Sequence, residues 1–303
     1  MTLYREARLR GALLDLSDHA TWRLTGEDRI RYLNGQVTAD IRRLRPGDAI
    51  PACVTTAKGK LCGVIHVSAG ADFLRIDAEA ALRESLGGRL ERYIIADDVA
   101  LLDTTGQECL LHLLLPPGAP PPALPPAVET RAASRVGRPG LDILAPSAEL
   151  PGLLGMLGGD YVVLPGSVAE SFRIEAGIPA WGAELTEETL PPEAGLDQSA
   201  IDYHKGCYIG QETISRIKSV GHVNRRLTGF LSPQALAPGM TLHPESDPGG
   251  KAGEITSAGW SFGLESWAAL GYLKRAFADA PLHARAADGA ITRVQARDLP
   301  LMP

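Results

Sequence analysis

The chain has 303 residues, 45% of them hydrophobic and 22% charged, with a formal net charge of -6. That composition excludes a disordered or fibrous chain, and the length leaves room for two domains, one large and one small. The acidic balance argues against a protein whose main task is gripping nucleic acid, because that affinity comes from cations neutralising phosphates.

In chain order, "ATWRLTG" reads as a strand and "EDRIRYLNG" as a short helix stopped at Asn34-Gly35, where glycine tolerates a left-handed cap. "KLCGVIHVS" and "DFLRIDA" read as paired strands, "AEAALRESLGGRLERY" as an amphipathic helix, and "DDVALLDTT" and "ECLLHLLL" as two more strands. Residues 116–126, "PPGAPPPALPP", can join neither a ladder nor a helix, since each proline removes a donor and fixes φ. They read as a junction inside one domain. After it come a strand in "GLDILAP", a helix in "AELPGLLGMLGG", a strand in "YVVLP" and a helix in "SVAESFRIEAG" with Ser167 as its cap. From Arg226 the texture changes to five short β runs, "RLTGFLS", "GMTLH", "AGEITSAGW", "WAALGYLKR" and "AITRVQARD". These suggest a small antiparallel barrel. The expectation is an α+β chain, with a mixed domain over 1–225 and a β-barrel domain over 226–303.

No apolar run approaches the roughly 20 residues of a membrane span, and the opening "MTLYREARLR" lacks the apolar core of a signal peptide, so a cytoplasmic location is expected. Cys53, Cys62, Cys109 and Cys207 are widely separated, which points to free thiols and away from a disulfide framework or a closed zinc site.

The stretch "DYHKGCYIGQET", residues 202–213, concentrates chemistry. A thiol with a pKa near ~8.5 is only a few per cent thiolate at neutral pH, and Lys205 and His204 are residue types that lower it. A small packed hydrophobe is the competing reading of Cys207, and the residues alone leave both open. Gly206 and Gly210 let the backbone turn and approach a ligand. The spacing fits neither a phosphate loop nor a dinucleotide fingerprint, and the His204/Cys207 pair is too few ligands for a permanent metal site. Upstream, "GAELTEETLPPEAGLDQSAID" carries only acids among its charges; downstream, Arg216, Lys218, Arg225 and Arg226 stand without an acid. Such a run suits either an anionic ligand such as a carboxylate tail or a solvated face. Glu175 lies near the apolar edge of a helix bearing Val168, Phe172 and Ala176 and requires a partner, either Arg173 or a ligand with paired N–H donors.

"FRIEAGIPAWGAELTEETLPPEAGL" followed by "KGCYIGQE" resembles the signature of the YgfZ-type folate-binding proteins, relatives of the glycine-cleavage aminomethyltransferase, or T-protein. "YLNGQVTADI", "GHVNRRLTGFL", "GEITSAG" and "AALGYLKR" extend the resemblance over nearly the whole chain. It implies the T-protein ring of subdomains around a folate site, with tetrahydrofolate or another reduced folate as cofactor. By motif position, Glu175 matches the carboxylate that pairs with the pterin ring, with Arg173 beside it; Gly206, Tyr208 and Gln211 fall among the cofactor-contacting residues. Lys205 and Cys207 match the lysine and cysteine that mark the YgfZ branch and would carry its chemistry.

The resemblance further implies an accessory factor for assembly or repair of iron–sulfur clusters in client enzymes, including those that modify transfer RNA. The alternative is a folate-dependent aminomethyltransferase or demethylase. The stretch matching the aminomethyltransferases' Asp-Asp pair, "KGKLCGVIHV", holds no carboxylate, which argues against independent aminomethyl transfer. Iron–sulfur clients are the expected partners of a monomeric chain, and direct RNA binding through the basic run is the least favoured reading.

Overall fold

The computed structural model describes residues 2–302 except Pro117 and Pro248. The chain opens with helix α1 (Thr2–Arg10), whose Tyr4 and Ala7, one turn apart, turn inward. Strand β1 (Ala12–Asp15) follows and joins β7 (Glu108–Leu114), β8 (Glu129–Ser134), β9 (Pro139–Pro146) and β10 (Val162–Val163) in a five-stranded sheet of order β10-β1-β7-β9-β8. A second sheet has the order β3-β4-β5-β2-β6, built from β2 (Ala20–Thr25), β3 (Ala49–Thr55), β4 (Leu61–Ala69), β5 (Leu74–Ala78) and β6 (Ala100–Asp103). Sequence reading assigned nothing to α1, β1, β3 or β8.

Each sheet buries one face under helices. Helices α2 (Arg29–Gln36) and α3 (Arg83–Glu91) cover the second sheet, packing Tyr32, Leu33, Leu86 and Leu90 on Trp22, Leu24, Ile65 and Ile76. Each such side chain contributes roughly 1.5–3 kcal/mol of burial. Gly63 on β4 permits this approach, because a Cβ there would stand 3.0 Å from Leu82. Helix α4 (Leu150–Leu157) covers the first sheet through Leu153 and Leu157 on Leu13, Leu111 and Ile143. Leu124 and Val128, in and just after the proline-rich stretch, pack on this same core, so the stretch lies along one domain; its Pro117 is outside the described residues.

Two local expectations are corrected. Helix α2 runs through Asn34-Gly35 to Gln36, and Gly35 is not left-handed, because the carbonyls at this end are satisfied by a distant loop and need no glycine cap. Ser167 does not cap α5 (Gly166–Ala176): Pro165 occupies the cap position, and no side chain bonds to the first turn.

Helix α6 (Gln211–Val220) leads into the C-terminal barrel. The barrel closes in the order β11-β14-β13-β12-β15-β16, comprising β11 (Arg225–Ser232), β12 (Thr241–Pro244), β13 (Gly253–Ser261), β14 (Ser266–Lys274), β15 (Leu282–Arg285) and β16 (Ile291–Arg297). Five of these six were legible in the sequence. The four-residue β15 was not, yet it joins β12 to β16 and closes the ring. Phe230, Leu242, Ile255, Ala269, Leu273 and Leu282 fill the interior. The α+β architecture with a C-terminal antiparallel barrel is therefore the observed one. Among the described residues, no helix is long and apolar enough to cross a membrane.

Candidate functional site

The stretch 202–213 folds as a loop clamped to the end of α2. Lys205 Nζ donates to the carbonyls of Asn34 at 2.7 Å, Val37 at 2.7 Å and Ala39 at 2.6 Å. The Asp202 amide donates to Thr38 O at 3.0 Å, and the Ile209 amide donates to Gly35 O at 3.2 Å. Thus one loop satisfies the carbonyls that a helix end leaves without partners. Two motifs separated by about 170 residues of chain, "YLNGQVTADI" and "KGCYIGQE", form one physical unit. Burial pushes the Lys205 ammonium down to about 8.

Lys205 is only 5% exposed, whereas Cys207, two residues on, is exposed and forms no hydrogen bond among the described residues. Cys53 and Cys109 are buried. Tyr208 is buried with its ring 5.3 Å from Lys205 Nζ, and its hydroxyl finds no partner among the described residues. Gly206 stands in open space. Gln211 begins α6, its amide donating to Tyr208 O at 3.2 Å.

Gly210 seats the loop on the turn between β3 and β4. Its φ is +90°, and a Cβ there would meet Thr56 O at 2.5 Å. That turn belongs to the stretch "KGKLCGVIHV", so the place matched to a carboxylate pair holds Lys60, which pairs with Glu188, and a half-buried Cys62. Burial pushes the Cys62 thiol up, partly opposed by the Arg89 guanidinium.

Arg173 and Glu175 lie elsewhere and face apart on α5. Arg173 donates to Glu170 (2.6 Å), Glu184 (2.9 Å), Ser257 Oγ (2.7 Å) and the Ile178 carbonyl (2.6 Å). Glu175 is 1% exposed and accepts from Tyr4 Oη, from Arg8 Nη2 at 2.7 Å and from Ser261 Oγ at 2.6 Å. Both side chains tie α5 to the barrel, and Glu175 also ties it to α1. Of the residues singled out from the sequence, the structure unites Lys205, Gly206, Cys207, Tyr208 and Gln211. No hydrogen bond or ion pair among the described residues joins that group to Arg173 or Glu175.

A cleft of about 800 Å³ is lined by Glu188, Glu193, His222, Asn224, Arg225, Lys274 and Arg275. Arg225 is held by Glu193 at 3.0 Å and lies 4.4 Å from the Tyr272 ring. Arg275 and His222 are exposed, with no side-chain partner among the described residues. The cleft can therefore take an anion, and part of the basic run seen in the sequence lines it. Lys274 and Arg275 were missed because they follow the run by fifty residues and reach the cleft only through barrel closure.

Sequence reading also missed a charged layer between the two sheets. Arg135 forks between Asp77 on β5 (2.6 Å) and Asp142 on β9 (2.6 Å); His112 Nδ1 lies 2.8 Å from Asp142 Oδ1, and Arg131 bonds Ser68 across the gap. Burial alone would raise both carboxyls, but Arg135 and the histidines outweigh it, holding Asp77 well below the carboxylate range and Asp142 at about 2. Burial, reinforced by Arg135, pushes His66 down to about 3. The signal was present as polar residues set inside apolar strands: "VIHVS", "LRIDA", "LLHLL" and "LDIL".

No family model matches the chain. A chloroplastic protein of Arabidopsis thaliana named as a transferase is 28% identical over 285 residues, covering 87% of this chain and 65% of its own length. The chain thus spans just under two thirds of that relative. The tRNA-modifying protein YgfZ of Escherichia fergusonii is 27% identical over 243 residues, 76% of this chain and 74% of that protein. Among solved structures, the glycine cleavage system aminomethyltransferase T from Bartonella henselae superposes with a TM-score of 0.87 at 18% identity, covering 99% of this chain and 89% of its own. The chain is thus similar in sequence to the YgfZ proteins and to aminomethyltransferases, and it shares the fold of the glycine cleavage aminomethyltransferase.

Proposed function

We propose that this protein binds a reduced folate and serves iron–sulfur client enzymes, including those that modify transfer RNA, through the thiol of Cys207. The observation that carries this reading is one exposed cysteine presented on a loop whose neighbours are fastened to α2 and to the β3–β4 turn. Cys207 acts as a transient ligand to an iron of a client's cluster: the thiol proton passes to solvent, an Sγ lone pair forms the bond, and no electron changes hands.

A folate ends in a glutamate carrying two carboxylates, and the cleft offers Arg275, His222, Arg225 and Lys274 for them in a volume within the usual range for ligand sites. Its pterin edge presents paired N–H donors. Glu175 can accept them only by exchanging Arg8 or Ser261, since its oxygens are engaged by Tyr4, Arg8 and Ser261. Calorimetric titration with tetrahydrofolate separates the two ends. Arg275→Gln weakening binding assigns the tail to the cleft, and Glu175→Gln leaving it unchanged removes Glu175 from the site.

In cells lacking the protein, Cys207→Ser is expected to leave iron–sulfur enzyme activity unrestored; full restoration would overturn the thiolate role. The competing reading, one-carbon transfer, is favoured by the aminomethyltransferase fold and by sequence similarity to aminomethyltransferases. It predicts turnover of tetrahydrofolate to methylenetetrahydrofolate with an aminomethyl or N-methyl donor.

A further inference from the structure

Lys205 and Cys207 sit two residues apart, and the simplest chemistry would make the ammonium an activator of the thiol. The geometry points to another division of labour: we infer that Lys205 is a positioning residue that fixes the Cys207 loop by capping the α2 end, and does not activate the sulfur. This inference rests on the reading of Cys207 as the working thiol.

All three ammonium protons are accounted for by the carbonyls of Asn34, Val37 and Ala39, at 2.6–2.7 Å. The group is 5% exposed, and Cys207 is exposed, so the two adjacent side chains point to different environments. The ammonium lies at the C-terminal end of a helix, where the unpaired carbonyls favour a cation. Tyr208 closes over it, 5.3 Å away. Flanking bonds join the same two segments: Asp202 N donates to Thr38 O (3.0 Å) and Ile209 N to Gly35 O (3.2 Å), while Thr38 Oγ1 donates back to Ala200 O (2.5 Å). Cys53 N in turn donates to Thr38 Oγ1 at 2.8 Å, and Thr55 Oγ1 to Ile209 O at 2.5 Å, tying the clamp to β3. The lysine is thus the buried centre of a backbone-to-backbone clamp, with Gly206 and Cys207 the open span it holds out.

The two roles differ in what Lys205→Met changes in the full-length protein. A positioning lysine predicts amide hydrogen exchange at least tenfold faster in both 34–41 and 203–210. The pH midpoint for alkylation of Cys207 by iodoacetamide, read at that residue by mass spectrometry, should stay within half a unit of wild type. An activating lysine predicts the reverse: exchange unchanged and the midpoint raised by a unit or more. Unchanged exchange or a raised midpoint overturns the inference. Lys205→Gln keeps two N–H donors without charge and covers the case in which the methionine variant does not fold; positioning predicts exchange nearer wild type and an unmoved midpoint, whereas activation predicts a midpoint raised as far as in the methionine variant. These readouts need no client enzyme, so they stand apart from complementation by Cys207→Ser. If that variant restores activity, the Cys207 reading fails while the clamp is still decided by exchange.

Discussion

Arg135 and Lys205 are both buried cations, 9% and 5% exposed, yet they are stabilised by different means. Arg135 stands between two carboxylates on facing sheets; Lys205 stands among three neutral carbonyls at one helix end. Burial alone would lower both pKa values. For Arg135 the Asp77 and Asp142 charges outweigh burial and raise it; Lys205 has only more distant carboxylates, chiefly Asp40, and is pushed down to about 8. A cation paired with anions braces side chains across an interface, whereas one paired with carbonyls organises backbone and remains within reach of mild alkali.

The largest effect that would break this comparison is expected at the brace. Arg135→Met leaves two buried carboxylates short of a partner and should cost about 3–5 kcal/mol in chemical denaturation, since removing one member of a buried ion pair is strongly destabilising. A cost below about 1 kcal/mol would mean that the layer is not a brace.

Acid tests the same layer. His66 is pushed down to about 3, below its unfolded value of about 6.5, so the unfolded chain takes up a proton that the fold refuses. Stability should therefore fall as pH drops from about 6.5 towards 3. Asp77 and Asp142, held below the usual carboxylate range, lose their contribution in the lower part of that window. About 2 kcal/mol of loss between pH 6 and 4 is expected from His66 after discounting for its partial exposure. His66→Gln should flatten the slope of Tm against pH.

At the clamp, Lys205→Met should cost about 1–3 kcal/mol, the scale of a buried polar group losing its partner. The alkaline sign differs from that of the brace. The folded value of about 8 lies below the unfolded ~10.4, so the fold releases this proton first, and the contribution of Lys205 to stability grows as pH rises from 8 to 10.4. That rise should vanish in Lys205→Met and persist in Arg135→Met. The smallest effect belongs to the exposed cation of the cleft. Arg275→Gln should weaken tetrahydrofolate binding by about 0.5–1 kcal/mol, a factor of roughly two to five by calorimetry, more at low salt than at high.

Much of the fold was legible because its signals are local. Alternation in "KLCGVIHVS" and "DFLRIDA" marked paired strands, and the Gly- and Pro-punctuated runs after Arg226 marked a barrel. β15 escaped because four residues carry too little pattern, and α1 because its inward stripe of Tyr4 and Ala7 is short. The octet was found as a cluster of chemical types, but its partner was invisible: nothing in "KGC" says that the lysine turns inward to carbonyls at Asn34, Val37 and Ala39. Glu175 was singled out correctly as a carboxylate needing partners, and Tyr4, Arg8 and Ser261 supply them from 171, 167 and 86 residues away in the chain.

By itself, the sequence determined the kinds of element, the barrel at the C-terminal end, the cysteine between glycines and the lack of a carboxylate in "KGKLCGVIHV". These follow from periodicity, backbone permissiveness and side-chain chemistry, all of which act over a few residues. Only the tertiary structure decided that Cys207 is exposed while Lys205 is buried, that Arg173 and Glu175 are engaged as ties, and that Arg135 bridges two sheets. Those outcomes depend on which donors and acceptors chain folding brings within 3 Å of each other, a property of long-range pairing that no local window of residues contains.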